Sequence, residues 1–243
     1  AMEHLDRAIA LSPQDAVAHF ELGRVYQEEG RLAEALEKYD RSVALAPERA
    51  EYHGRRGQVL MQMGRQEEAI AALQEAIRHQ PDCAEAHRLL GDIAMQRGDL
   101  EAARQSYQQA VAARPADAEQ HACLGRLLVE QGQLEEARRE LDRALELDAQ
   151  CAAALHALGR LHERSAAPAQ ALECYRRAVQ LSPQEGEFRY DLAILLGRLG
   201  QRQEAIAELR AAVAGQPQRG DWQHALGMLY ACLLYTSPSP RDS

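Results

Sequence analysis

The sequence predicts an all-α fold, a right-handed α-solenoid of stacked antiparallel helix pairs with a 34-residue repeat. Three observations predict it. Prolines stand 34 residues apart at Pro13, Pro47, Pro81, Pro115, Pro183 and Pro217, with Ala149 at the one remaining point of the grid. A small residue follows ten positions after each point: Gly23, Gly57, Gly91, Gly125, Gly159, Ala193 and Gly227. Two further columns keep the same register, Ala35, Ala69, Ala103, Ala137, Ala171 and Ala205, then Tyr39, Leu73, Tyr107, Leu141, Tyr175 and Leu209. Self-similarity at this period marks a repeat architecture, and apolar residues spaced three and four apart mark helices.

Taken in order, residues 1–15 read as the second helix of a truncated repeat. Residues 16–49, 50–83, 84–117, 118–151, 152–185 and 186–219 read as six full repeats, so 16–219 is the body of the array. Residues 220–234 read as the first helix of a broken seventh. Within a repeat, Leu22, Leu90, Leu124, Leu158, Leu192 and Leu226 mark the buried stripe of the first helix, and the small residue after the stripe lets the second helix approach. A second glycine column, Gly30, Gly64, Gly98, Gly132 and Gly200, ends the first helix, where a left-handed residue costs glycine little; Ala166 takes that place once. Pro168 suits the first turn of the helix that follows. The grid prolines stop each second helix, since proline cannot continue the hydrogen-bond ladder. Arg56 stands in the leucine stripe, so the second repeat is expected to be the weakest packed. No hairpin buries both faces alone, so neighbours must stack.

The repeat closely resembles the tetratricopeptide repeat family over nearly the whole chain. The segment Ala84–Asp117 matches the family pattern through Leu90, Gly91, Gly98, Ala103, Tyr107, Ala110 and Pro115. The resemblance implies a concave groove, lined by the first helices, that holds peptides. It also implies what is missing. One branch of the family grips chaperone C-termini with Lys and Asn, and sugar-transferring relatives use an Asn ladder. This sequence has no Asn, so neither device is present in its usual form. Pentatricopeptide repeats, which read RNA, have a longer period and lack this glycine and proline grammar. The last nine residues, 235–243, resemble a non-native tail of an assembled sequence fragment. With the half-repeat at the start, the chain is expected to be a piece of a longer protein.

Composition narrows the function. There are 37 acidic and 28 basic residues, a formal charge of −9, which argues against nucleic acid because phosphate neutralisation needs a basic face. The nearly Lys-free, Arg- and Ala-rich composition fits a GC-rich bacterial genome. No stretch approaches the roughly 20 apolar residues of a membrane span, and the N-terminus shows no signal-peptide pattern. The five cysteines, Cys83, Cys123, Cys151, Cys174 and Cys232, form no Cys-x-x-Cys pair. Scattered odd thiols suggest a reducing, cytoplasmic setting rather than a disulfide framework.

The candidate sites divide into structural and functional. His19, His53, His87 and His121 share a column, but one histidine per repeat cannot converge on a metal at bonding distance when helices pack about 8–10 Å apart; a packing role is expected. Glu51, Glu85, Glu119, Glu187 and Asp221 open first helices, and Glu34, Glu68, Glu101 and Glu136 open second helices, where acids suit the helix dipole. No nucleophile elbow, phosphate loop or zinc-protease motif occurs, so no catalytic, cofactor-binding or metal site is assigned. The face opposite the packing stripe carries Arg24, Gln58, Asp92, Arg126, Arg160, Ile194 and Met228, flanked by Phe20, Arg88, His156, Tyr190 and His224, then Arg164 and Arg198. Its later part, Arg126, His156, Arg160, Arg164, Tyr190 and Arg198, is the candidate peptide-binding patch. Arginine forks suit carboxylates and tyrosine suits an anchor, so the expected partner is a protein or peptide, an acidic one in particular. The bland alternative is a solvated face on which Glu130, Glu163 and Asp191 neutralise the arginines. At the level of function the expectation is a protein-interaction scaffold. The competing expectation is the substrate-recognition arm of a larger bacterial glycosyltransferase- or sulfotransferase-like enzyme.

Overall fold

The computed structural model describes residues 2–236, with side chains through 231. The run 237–243, within the expected non-native tail, lies outside the described residues. Among the described residues there are fourteen α-helices and no strand. They fall into two compact units divided between Pro115 and Ala116. The first holds α1 (Met2–Leu11), α2 (Ala16–Glu28), α3 (Leu32–Leu45), α4 (Ala50–Gln62), α5 (Gln66–His79), α6 (Ala84–Gln96) and α7 (Leu100–Ala113). The second holds α8 (Ala118–Glu130), α9 (Leu134–Leu147), α10 (Ala152–Arg164), α11 (Pro168–Leu181), α12 (Gly186–Arg198), α13 (Arg202–Gly215) and α14 (Gly220–Thr236). Each unit is a stack of helix pairs, α2 on α3, α4 on α5 and α6 on α7 in the first, α8 on α9, α10 on α11 and α12 on α13 in the second.

The columns become contacts. Every residue of the alanine column and of the Tyr/Leu column from 35 to 209 is fully buried. A methyl group added at Gly23 would lie 2.8 Å from the ring of Tyr39, and one at Gly91 would lie 2.5 Å from that of Tyr107. The glycine column is therefore a slot for the large side chain sixteen residues later on the partner helix. Where Ala193 replaces glycine, the facing residue is Leu209, and both sit in one core cluster with Ala212 and Trp222.

The first helices end as their glycines dictate. Gly30 takes φ +74° and its N–H binds the Gln27 carbonyl while the Arg31 N–H binds that of Tyr26. This paired closure is the Schellman arrangement. Ala166 adopts the same turn at φ +54°, with the same two bonds to Glu163 and His162. Pro168 is the first residue of α11, and the α10–α11 hairpin is kept. The expected weakness at Arg56 is not visible in burial. Val59, Leu60 and Leu73 are fully buried around it, and the guanidinium reaches Asp40 on α3 at 2.5 Å. The Arg56 side chain stays 28% exposed, as expected of an arginine that keeps its charge at the edge of the core.

Candidate protein-binding face

Each first helix buries one side and leaves the other to its neighbours and to solvent. On α10, Ala154, Leu155, Ala157, Leu158 and Leu161 are buried against the hairpin core. Four polar residues, His156, Arg160, Glu163 and Arg164, occur at helical spacing on the remaining side. Arg126 and Glu130 hold equivalent positions on α8, and Tyr190, Ile194 and Arg198 do so on α12, with Asp191 next to Tyr190.

This side is cross-linked from helix to helix. Arg160 Nη1 lies 2.6 Å from Glu130 on α8, and its Nε lies 3.9 Å from Asp191 on α12. Arg164 reaches the other Glu130 oxygen at 3.6 Å and donates to the carbonyls of Val129 and Glu130 at the end of α8. Arg198 pairs with Glu163. Glu163 also accepts from the hydroxyl of Tyr175 at 2.5 Å. Burial, and then the bond to Glu163, holds the Tyr175 hydroxyl far above the usual phenol range.

All six sequence-predicted residues lie on α8, α10 and α12, and the structure assigns them different tasks. Arg160 and Arg164 are partly exposed and paired, as the neutralised alternative describes. Arg198 is the most exposed of the ion-paired arginines here, at 59% of its side chain. Arg126 is half-buried on α8. His156 is buried: its Nε2–H donates to Asp191 at 2.9 Å, and its ring stacks on Phe188 with centroids 4.4 Å apart. Tyr190 is half-buried and stacks on Trp222 at 5.7 Å.

Family models described as Tetratricopeptide repeat match residues 14–82, 55–118, 94–161 and 164–229. The chain belongs to the tetratricopeptide repeat family. Several solved structures resemble this tetratricopeptide chain in fold. One is a chain of the APC/C hetero-tetramer Cut9-Hcn1, at 19% identity and TM-score 0.81, over 93% of this chain and 45% of that one. The chain thus spans less than half the length of that relative. Another is a tetratricopeptide repeat protein from Parabacteroides merdae, at 16% identity and TM-score 0.75, over 95% of this chain and 91% of that one. YrrB, described as a tetratricopeptide protein with an unusual peptide-binding site, matches at 23% identity and TM-score 0.56, over 76% of this chain and 95% of its own. No curated protein matches the chain in sequence.

Two features of this tetratricopeptide chain escape a column-by-column reading. One is a set of flat side chains stacked between successive first helices at a spacing of 32: Phe20 on Tyr52 at 4.6 Å, His156 on Phe188, and Tyr190 on Trp222. Large aromatic residues two places short of the repeat period were the available signal. The other explains the histidine column. The Nε2–H of His19, His53 and His87 donates to the carbonyl of Pro13, Pro47 and Pro81, six residues earlier, at 3.1, 2.8 and 2.9 Å. Arg189 and Gln223 make the same bond to Pro183 and Pro217. The column thereby ties α2, α4, α6, α12 and α14 to the loop before each. Among the described residues no three His, Cys, Asp or Glu side chains gather as a metal would need. Cys83, Cys151 and Cys174 are free thiols, and burial pushes the Cys151 and Cys174 thiols upward, away from reactivity. No described helix is long and apolar enough to cross a membrane.

Proposed function

We propose that this chain is a protein-interaction scaffold, and that the shared face of α8, α10 and α12 receives an extended segment of a partner. One observation carries the reading: a row of half-exposed arginines and carboxylates runs across three successive first helices, over a floor of buried apolar side chains. The peptide-binding site of YrrB, a protein of the same fold, supports it. For an acidic segment the binding is an exchange. A ligand carboxylate replaces Glu130 or Glu163 on an arginine, and partly exposed ion pairs contribute only about 0–1 kcal/mol, so the exchange is cheap.

The test uses the full chain and two labelled hexapeptides of equal length, one of glutamates and one of serines. Arg160→Ala should weaken the acidic peptide by about 0.2–1 kcal/mol, the range for a partly exposed ion pair. Glu130→Gln should strengthen it, because an internal competitor is gone. Equal affinities for the two peptides, or weakening by Glu130→Gln, would reject the acidic ligand. A random peptide library yielding no binder that depends on α8, α10 or α12 would reject this face as the docking site.

A further inference from the structure

The first helices of the second unit present one column residue per step. Arg126 on α8, Arg160 on α10 and Ile194 on α12 stand 34 residues apart in that column. α8 packs directly on α10, and α10 reaches α12 through the His156 ring, stacked on Phe188 at 4.4 Å. Helices in contact lie about 8–10 Å apart, so a chain crossing the three meets one column residue about every 8–10 Å. Read along this path, the chemistry is cation, cation, apolar. Arg160 is held from both sides, by Glu130 at 2.6 Å and Asp191 at 3.9 Å, which keeps its guanidinium between α8 and α12. Ile194 is half-buried, and a short β-branched side chain cannot reach for a ligand that is out of register.

That step discriminates among regular backbones. The side chains on one face of a β-strand recur at about 6.6 Å and again at about 13 Å. Those on one face of an α-helix recur at about 5.4 Å and, over seven residues, at about 10.5 Å. Polyproline II has three residues per turn and rises about 3.1 Å per residue, so one edge recurs about every 9.3 Å. Of the three, polyproline II alone falls within the helix step.

We propose that the partner segment lies on this face in the polyproline II conformation, with every third side chain on the column. An acidic residue meets Arg126, an acidic residue meets Arg160, and a bulky apolar residue meets Ile194. The inference rests on the reading of α8, α10 and α12 as the docking face, and adds to it a conformation, a three-residue register and an apolar contact. A polyproline II segment has no internal hydrogen bonds to give up. It is stiff before it binds, so little ordering entropy is lost on the face.

The test measures fluorescence anisotropy of labelled, end-capped peptides of equal length with the full chain. Glu-Pro-Pro-Glu-Pro-Pro-Leu sets its three recognition side chains three apart. Glu-Pro-Glu-Pro-Leu-Pro-Pro has the same composition and charge but sets them two apart, so it meets one column residue at a time. The first should bind about tenfold more tightly, for one further ion pair and one apolar contact. Ile194→Arg gives α12 the residue that its column carries on α8 and α10. The wild-type chain should prefer the leucine peptide over Glu-Pro-Pro-Glu-Pro-Pro-Glu, and Ile194→Arg should reverse that preference, which unfolding could not do. Equal affinities for the two spacings, with both weakened by Arg160→Ala, would overturn the register and leave the face. Binding that ignores Arg160→Ala would overturn the face as well. An unreversed preference in folded Ile194→Arg would overturn the apolar contact.

Discussion

Replacing Gly91 with alanine sets two opposed terms against each other. Gly91 lies inside α6, where alanine is favoured over glycine by about 1 kcal/mol. The added methyl would stand 2.5 Å from one ring carbon of Tyr107 and 2.6 Å from another, against an ordinary carbon contact of roughly 3.5–4.0 Å. The ring must therefore retreat by about an ångström. It is fully buried, and its hydroxyl donates to Asp92 at 2.6 Å, on the same helix as the glycine. Retreat lengthens that bond, which is of the charge-assisted kind valued at about 1.5–3 kcal/mol. Overpacking itself costs about 1–3 kcal/mol. With part of the bond lost and the helix gain subtracted, the hairpin of α6 and α7 should be destabilised by about 1.5–3 kcal/mol. Native-state hydrogen exchange reads this locally, as lower opening free energies at the amides of α6 and α7. The companion change is Ala193→Gly, where the facing side chain is Leu209. There the removal of a buried methyl and the glycine penalty act together, for about 2 kcal/mol of loss. A neutral or stabilising Gly91→Ala would show that helix propensity alone governs this column and that the ring does not press on it.

Three further outcomes are expected. Ala166→Gly should raise the urea midpoint by the equivalent of about 0.5–1 kcal/mol, the left-handed penalty of roughly 1–2 less glycine's extra unfolded-state entropy; a fall would contradict the strain at φ +54°. His53→Ala should destabilise α4 by about 1 kcal/mol through loss of the bond to Pro47, and His53→Gln should recover part of it, as Gln223 makes that bond to Pro217. The tyrosine hydroxyls give an alkaline prediction: burial pushes Tyr39 up to about 12 and Tyr175 higher still, against about 10 in the unfolded chain. The folded state holds these protons longer, so their contribution is complete below pH 10 and falls as pH rises beyond it. Tyrosinate absorbance rising together with loss of helical circular dichroism would agree; full ionisation near pH 10 with the helices intact would not.

The fold was legible because its columns are steric. Gly23 meets the ring of Tyr39 on the partner helix, each column keeps to a narrow range of sizes, and a 34-residue comparison exposes them without coordinates. The face was less legible because its columns hold different chemistry in each repeat. Phe20, Arg88, His156 and Tyr190 share a column, and a helical wheel assigns all of them to one side. The wheel has no view of the neighbouring first helix. His156 is turned onto Phe188 and Asp191, and Tyr190 onto Trp222, by residues 32 or 35 positions away. Trp222 needs the missing side chain at Gly186, where an added methyl would meet its ring at 2.5 Å. That compensation joins two repeats and cannot be read within one. His19, His53 and His121 are buried, as a packing column requires, but the bond to a proline carbonyl depends on loop geometry that spacing alone does not carry.

The contrast between the two kinds of column bears on how such a chain binds. On the face of α8, α10 and α12, the same charges that would hold a ligand already hold one first helix to the next. Arg160 bridges Glu130 and Asp191, and Arg198 bridges back to Glu163. A ligand that takes one of these arginines loosens a helix-to-helix contact as it forms its own. Its net gain is the difference between two similar bonds, which favours a partner that engages several positions at once over any single carboxylate. A hexaglutamate peptide should therefore bind more tightly than acetyl-Ala-Glu-Ala-amide, and equal affinities for the two would refute the argument from exchange.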